Sequence, residues 1–403
     1  MRAARFGLLV LMLLVMGVPL AHTLAVRENP LGPLASPRLG KVVFPLEPEW
    51  TLTGWLSGDF QRRADHWFSN VVEPRGWVIP LTNQVLYSVF AKSYMNDRTI
   101  VIGRQEELYE SPYIEGYCRA SNLDDASVLT ATAATVGQLT GRLASEGKVL
   151  LVLITPSKAA VLPERLPVGA CRPAGDPARR RRHFVSSLRE AGVTTLDGHA
   201  LVAAMKVEDP LPPFPRGGTH WSRLTGARVA GVVMREVGRP RAVDLGGVDV
   251  RGVRWDARPE KTDRDLAELL TLFTPPFDYR VGDAETVCRA TATGRGRTLV
   301  TVGGSFLNQI LEPITACGLF HRVEHFFYYD ELYQRWPGPV TARPDPATRR
   351  WRDKLAETDV VILEIAEHLI GRARHFDRFL TDALAELRDG TPDRNPHRRP
   401  AAR

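Results

Sequence analysis

Two short stretches hold the residues best suited to chemistry. In PRGGTHWSR (215–223), His220 sits beside a tryptophan, after a loop of proline and glycine and just before a helical pattern. In TLVTVGGSF (298–306), Ser305 follows an apolar run and two glycines and precedes another helical pattern. Glycines permit a sharp turn with positive φ. A helix start offers unpaired backbone N–H groups and partial positive charge, which are the parts of an oxyanion hole. Ser305 thus reads as a nucleophile, although the same setting suits an ordinary serine N-cap. A serine hydroxyl needs a base to take its proton. Of the ten histidines, His220 has the setting that best fits that role.

The elements that must position these groups show in the hydrophobic pattern. Continuous apolar runs at 148–154 (KVLLVLI), 297–302 (RTLVTV) and 359–365 (DVVILEI) suit strands buried on both faces of a parallel sheet. Shorter strands are expected at 99–103, 193–196 and 321–328. Helical spacing marks 58–72, 85–96, 124–146, 179–191, 198–205, 222–237, 306–317 and 376–388. Alternating strand and helix predicts a layered α/β fold with a mostly parallel sheet. Ligands of such sheets sit beyond the carboxyl ends of the strands. That rule puts 155–158, 303–305 and Glu364 on one rim. Ser157 and Lys158 can then hold a ligand hydroxyl or carboxylate, and Asn308 and Trp221 are further candidates for substrate contact. The aromatic stretch 325–336 (HFFYYDELYQRW) suits either stacking on the rings of a ligand or core packing.

Bulk properties bound the function. The chain has 403 residues, 44% apolar and 25% charged, enough for a sizeable folded core. The net charge of +7 is partly terminal: 389–403 carries four arginines and three prolines and reads as a disordered tail. The basic run 179–182 lacks an aromatic platform or zinc-finger spacing, so no nucleic-acid partner is expected. Arg2 and Arg5 precede an uncharged, largely apolar stretch, 6–26, that predicts a signal anchor or a cleaved signal peptide over 1–26. A proline-rich tether follows at 27–57, and one domain is expected over 58–388. This places the domain in the periplasm, held to the bacterial inner membrane by a single-pass anchor or released by cleavage. Four cysteines without a C-x-x-C give no metal site. Three pairings are open in an oxidising compartment, of which Cys118–Cys171 and Cys288–Cys317 are our expectation, with free thiols as the alternative. No glycine loop for a phosphate-bearing cofactor is visible, and no cofactor is expected.

Several stretches together resemble the AlgJ/AlgX-like proteins of exopolysaccharide O-acetylation, an alginate O-acetyltransferase-type, SGNH-hydrolase-like family. They are RTIVIGRQEELYESPYIEGY (98–117), VLITPSKAAVLPERLP (152–167), GGTHWS (217–222) and VTVGGSF (300–306). The resemblance spans roughly 60–370 and implies an SGNH-hydrolase-like α/β/α domain. It implies an exported O-acetyltransferase that moves an acetyl group through acyl-Ser305 to a polysaccharide hydroxyl. It also implies a membrane-bound O-acyltransferase and other polysaccharide-export proteins as partners. Two departures stand out. The family's aspartate before the serine is Gly304 here, and its acid two residues before the histidine is Gly218. Losing the acid of a Ser-His-Asp triad costs about 10⁴-fold in turnover. Glu364 is the first candidate to replace it and Asp209 the second. A backbone carbonyl orienting His220, or a protein that binds polysaccharide without catalysis, are the other readings. A carbohydrate esterase shares the same acyl-enzyme chemistry.

Overall fold

A computed structural model describes residues 2–28, 48–71, 75–93, 100–340 and 351–388. Most of the expected tether and the whole expected tail, 389–403, lie outside them. The chain divides into two compact units, one of 1–96 with 268–275 and the other of 97–267 with 276–403.

The first unit is helical. Arg2–Glu28 forms a helix with Pro19 inside it. Among the described residues, however, no helix is long and apolar enough to cross a membrane. The expected membrane anchor therefore finds no support here. Thr51 caps helix Leu52–Ser57 by accepting from the Gly54 N–H, and Gly58 ends it at φ 77°. Helices Asp59–Val71 and Arg75–Phe90 follow. Asn83 donates to the Leu270 carbonyl at 2.9 Å, tying 268–275 to this unit.

Among the described residues, ten strands are formed, and they lie in the second unit. Ile100–Ile102 (β1) and Leu108–Glu110 (β2) form a small antiparallel pair. Val149–Thr155 (β3) and Thr194–Asp197 (β4) open the main sheet. Gly247–Ala257 (β5) and Val281–Arg289 (β6) form a separate antiparallel ribbon. Thr298–Gly303 (β7), Arg322–Phe327 (β8), Glu331–Tyr333 (β9) and Val360–Ala366 (β10) complete the main sheet. Its order is β4-β3-β10-β7-β8-β9, parallel throughout except for β9 against β8.

Side-chain alternation along β3 builds two cores. Leu151 and Leu153 face one side, with helices Arg223–Gly238 and Asn308–Ala316. Leu150, Val152 and Ile154 face the other, with Ala126–Ser145, Arg179–Glu190 and Arg374–Arg388. Every residue of β3, β7 and β10 is buried. This is why these strands read as unbroken apolar runs. The result is a layered α/β fold with a mixed, mostly parallel sheet. Cys118 pairs with Cys171 and Cys288 with Cys317, the pairing expected from the sequence.

The sequence pattern marks no element between 238 and 296, where the structure places the β5–β6 ribbon. Much of β5 is only half buried, and Asp249, Arg251, Arg254 and Asp256 interrupt its apolar positions. The segment that follows β5 carries Asp263 and Asp265, which bond to Arg223 and to Thr219 and His220 respectively.

Candidate active site

The corner after β7 is built by close backbone approach. A Cβ on Gly303 would lie 2.6 Å from that of Glu364, so only glycine lets β7 and β10 meet there. The Gly304 N–H donates to Glu364 Oε2 at 2.7 Å, and Thr155 Oγ1 donates to Glu364 Oε1. Glu364 is almost wholly buried and fastens the ends of β3, β7 and β10 together. Ser305 then opens a short turn, Ser305–Leu307, which runs into helix Asn308–Ala316.

His220 arrives on the loop before helix Arg223–Gly238, whose start is capped by Ser222 accepting from the Thr225 N–H. A buried lysine secures this loop. Lys158 Nζ donates to the carbonyls of Pro215 (2.8 Å), Arg216 (3.0 Å) and Gly218 (2.8 Å). It also pairs with Glu107 at 2.8 Å. Burial holds the Lys158 pKa below its ordinary value, while the Glu107 carboxylate opposes that shift.

The two side chains meet. His220 Nε2 lies 2.6 Å from Ser305 Oγ. On the other side of the ring, Nδ1 lies 2.6 Å from Asp265 Oδ2. Asp265 is itself fixed, since its Oδ1 accepts from the N–H groups of Thr219 and Leu266, both at 2.8 Å. The imidazole packs edge-on against Phe306 with centroids 4.9 Å apart. With Nδ1–H donating to Asp265, Nε2 is free to accept the serine proton. That is the tautomer a serine–histidine pair requires.

The acid on His220 is therefore neither candidate taken from the sequence. Glu364 is spent on Thr155 and Gly304. Asp209 forms an ion pair with Arg228. Gly218 explains the exchange. A Cβ there would meet the Thr262 carbonyl at 2.6 Å and Pro215 Cγ at 2.8 Å. The segment carrying Asp265 thus lies directly on position 218, and the carboxylate reaches the ring from that segment. The sequence signal was faint: aspartates at 263 and 265 just before a short helical run in KTDRDLAEL (261–269).

The proposed substrate-contact residues part company with expectation. Lys158 is buried, and its ammonium is saturated by protein acceptors, so it holds the loop instead of facing a ligand. Trp221 is fully buried against Phe306, 5.4 Å between centroids, out of reach of a sugar. Ser157 is buried, with its N–H donating to Glu367 at 2.6 Å. Asn308 begins the helix after the corner, half-buried, and its backbone N–H donates to the Ser305 carbonyl, so it closes the turn. In 325–336, His325, Phe326 and Tyr329 are core, whereas Tyr328 is 38% exposed with its hydroxyl 3.4 Å from Ser305 Oγ. Among the described residues, no cluster of His, Cys, Asp and Glu is placed to hold a metal ion.

Residues 101–294, a little under half the chain, match the family model described as "SGNH hydrolase-like domain, acetyltransferase AlgX". The matched segment includes His220 and Asp265 and ends before Ser305. Among solved structures, the chain is similar to the O-acetyltransferase domain of Pseudomonas putida AlgJ at 17% identity and a TM-score of 0.46, covering 72% of this chain and 99% of that one. It is similar to Pseudomonas aeruginosa AlgX at 13% identity and 0.40, covering 71% and 67% respectively. Bacillus cereus PatB1 follows at 10% identity and 0.40, covering 68% and 97%. No curated protein matches the chain. The family match bears out the resemblance read from the motifs: residues 101–294 are similar to the SGNH hydrolase-like domain of the AlgX acetyltransferase type.

Proposed function

We propose that this protein is an exported O-acetyltransferase acting on an extracellular or cell-surface polysaccharide of the alginate type. The observation that carries the reading is the line Ser305–His220–Asp265, with both contacts to the imidazole at 2.6 Å. That line also weighs against a purely sugar-binding role, for which the glycine at 218 was the best argument.

The chemistry follows from the geometry. Ser305 Oγ adds to the acetyl carbon as its proton passes to His220 Nε2, and Asp265 stabilises the imidazolium. Backbone N–H at the corner faces the developing oxyanion. The donor's leaving group departs with the proton from His220, leaving acetyl-Ser305. His220 then takes the proton of a sugar hydroxyl, whose oxygen attacks the acetyl carbon; the Oγ–C bond breaks, and His220 Nε2 returns that proton to Ser305 Oγ. The family resemblance supports a membrane-bound O-acyltransferase as the source of the acetyl group. Export is supported by the two disulfides, which suit an oxidising compartment such as the periplasm.

The test is to incubate the protein with an acetyl ester, with and without an acidic oligosaccharide. Mass spectrometry then follows both protein and sugar. Acetyl on Ser305, acetylated sugar, and loss of both in Ser305→Ala and His220→Ala are expected. Ester hydrolysis that the acceptor does not slow, with no acetylated sugar, assigns an esterase instead.

A further inference from the structure

We propose that Tyr328 is a further catalytic residue of this site: its hydroxyl donates to the oxyanion that forms when Ser305 Oγ adds to an acyl carbon. The proposal rests on the acyl-transfer reading above and names a donor that neither the motifs nor the family match assigns.

An oxyanion hole needs converging donors, and this corner is short of them. The Gly304 N–H is already occupied by Glu364 Oε2 at 2.7 Å. That leaves the Ser305 N–H as the backbone donor of the turn. Tyr328 stands where a second donor is required. Its hydroxyl lies 3.4 Å from Ser305 Oγ, beside the start of the turn that Ser305 opens. A carbonyl oxygen bonded to the carbon that Oγ attacks enters this space. It accepts from the Ser305 N–H and from the tyrosine O–H.

The ring is placed there by features that have no other evident purpose. β8 ends at Phe327, and the next two residues adopt left-handed conformations, Tyr328 at φ 48° and Tyr329 at φ 65°. Such backbone costs about 1–3 kcal/mol per residue and gathers at functional sites. The turn is held by the Tyr328 N–H donating to the Gly303 carbonyl at 2.8 Å. Tyr329 is buried and stacks on Trp351 at 5.8 Å, which anchors the turn from behind. The Tyr328 ring packs edge-on against Phe327 (4.7 Å) and His375 (5.7 Å).

Gly304 leaves room for the same ring. A Cβ at 304 would lie 2.8–2.9 Å from Cε1, Cζ and Oη of Tyr328. The position where the resemblance leads one to expect aspartate is empty of side chain because the tyrosine ring fills it. Burial raises the Tyr328 pKa above its ordinary value, so the hydroxyl remains a proton donor at neutral pH.

The step balances without proton loss from Tyr328. The Oγ–C bond forms, the Oγ proton moves to His220 Nε2, and the carbonyl π pair moves onto oxygen. There it is held by the Ser305 N–H and the Tyr328 O–H. Collapse expels the leaving group, which carries away the proton from His220.

The experiment measures kcat and KM of the full chain with p-nitrophenyl acetate, with thermal melts to show that each variant folds. Tyr328→Phe keeps the ring and removes one oxyanion donor, so kcat falls about 10²–10³-fold with KM little changed. Gly304→Ala pushes the ring aside and costs a similar factor. The double variant is no slower than the slower single one, because both changes remove the same contact. Unchanged or raised kcat in Tyr328→Phe overturns the proposal, the raised value marking the tyrosine as a mere cover. A rise in KM alone assigns ground-state binding and overturns it too. Failure of the parent reading looks different: wild type and Ser305→Ala are then equally inert.

Discussion

At the scale of single residues, the decisive contact is Asp265 on His220. A carboxylate there fixes the imidazole tautomer and stabilises its charge after proton transfer. Asp265→Asn keeps the shape but offers the ring a group that can no longer do both. Its kcat is expected to fall by about 10⁴, as in other triads, with the melting curve nearly unchanged. Glu364→Gln, by contrast, disturbs a buried clamp, and its effect is expected in thermal stability as well as in rate. A drop in turnover for Glu364→Gln at unchanged stability, with Asp265→Asn active, would return the acid role to Glu364. Ser305 and His220 were legible in the sequence because glycines and a strand-to-helix change flag such corners. Asp265 was not. Its contact spans 45 residues of chain, and what fixes it is the backbone packing at Gly218, which leaves no periodic trace.

At the scale of elements, the loop of His220 and the segment of Asp265 are shaped to each other. Position 218 has no room for a side chain, with the Thr262 carbonyl 2.6 Å from where a Cβ would sit. Gly218→Asp restores the acid that the resemblance leads one to expect, yet it is expected to lose activity and stability together. The cost is in the range of about 1–3 kcal/mol found for overpacked sites, read as a lowered denaturation midpoint. Full activity in Gly218→Asp/Asp265→Asn would show instead that the two arrangements are interchangeable. The strands that position Ser305 were legible for the opposite reason. β3, β7 and β10 are buried on both faces, and a continuous apolar run is what that burial demands. The β5–β6 ribbon has one face toward solvent, and charges break its pattern, so the element that brings Asp265 home stayed hidden with it.

At the scale of the whole molecule, the site carries a cost that appears in the pH dependence of folding. Asp263 is only 2% exposed, and burial pushes its pKa up to about 6. The Arg223 N–H donates to it at 3.3 Å and Arg223 attracts it, but the neighbouring Asp265 repels it. In the unfolded chain this carboxyl ionises near 3.8. Between those two values the native state keeps a proton that the unfolded state has lost. Stability from this group therefore falls as pH rises from about 4 to about 6 and stays low above that. The full effect is of the order of 3 kcal/mol, from about two pKa units at 1.36 kcal/mol each. Asp263→Asn preserves an oxygen for the Arg223 N–H and removes the ionisation. Melting temperature measured against pH is expected to show the variant gaining on wild type through that window and remaining ahead at neutral pH. Two parallel curves would mean that Asp263 is solvated or paired when charged, and that the acid-bearing segment packs against the His220 loop without electrostatic penalty.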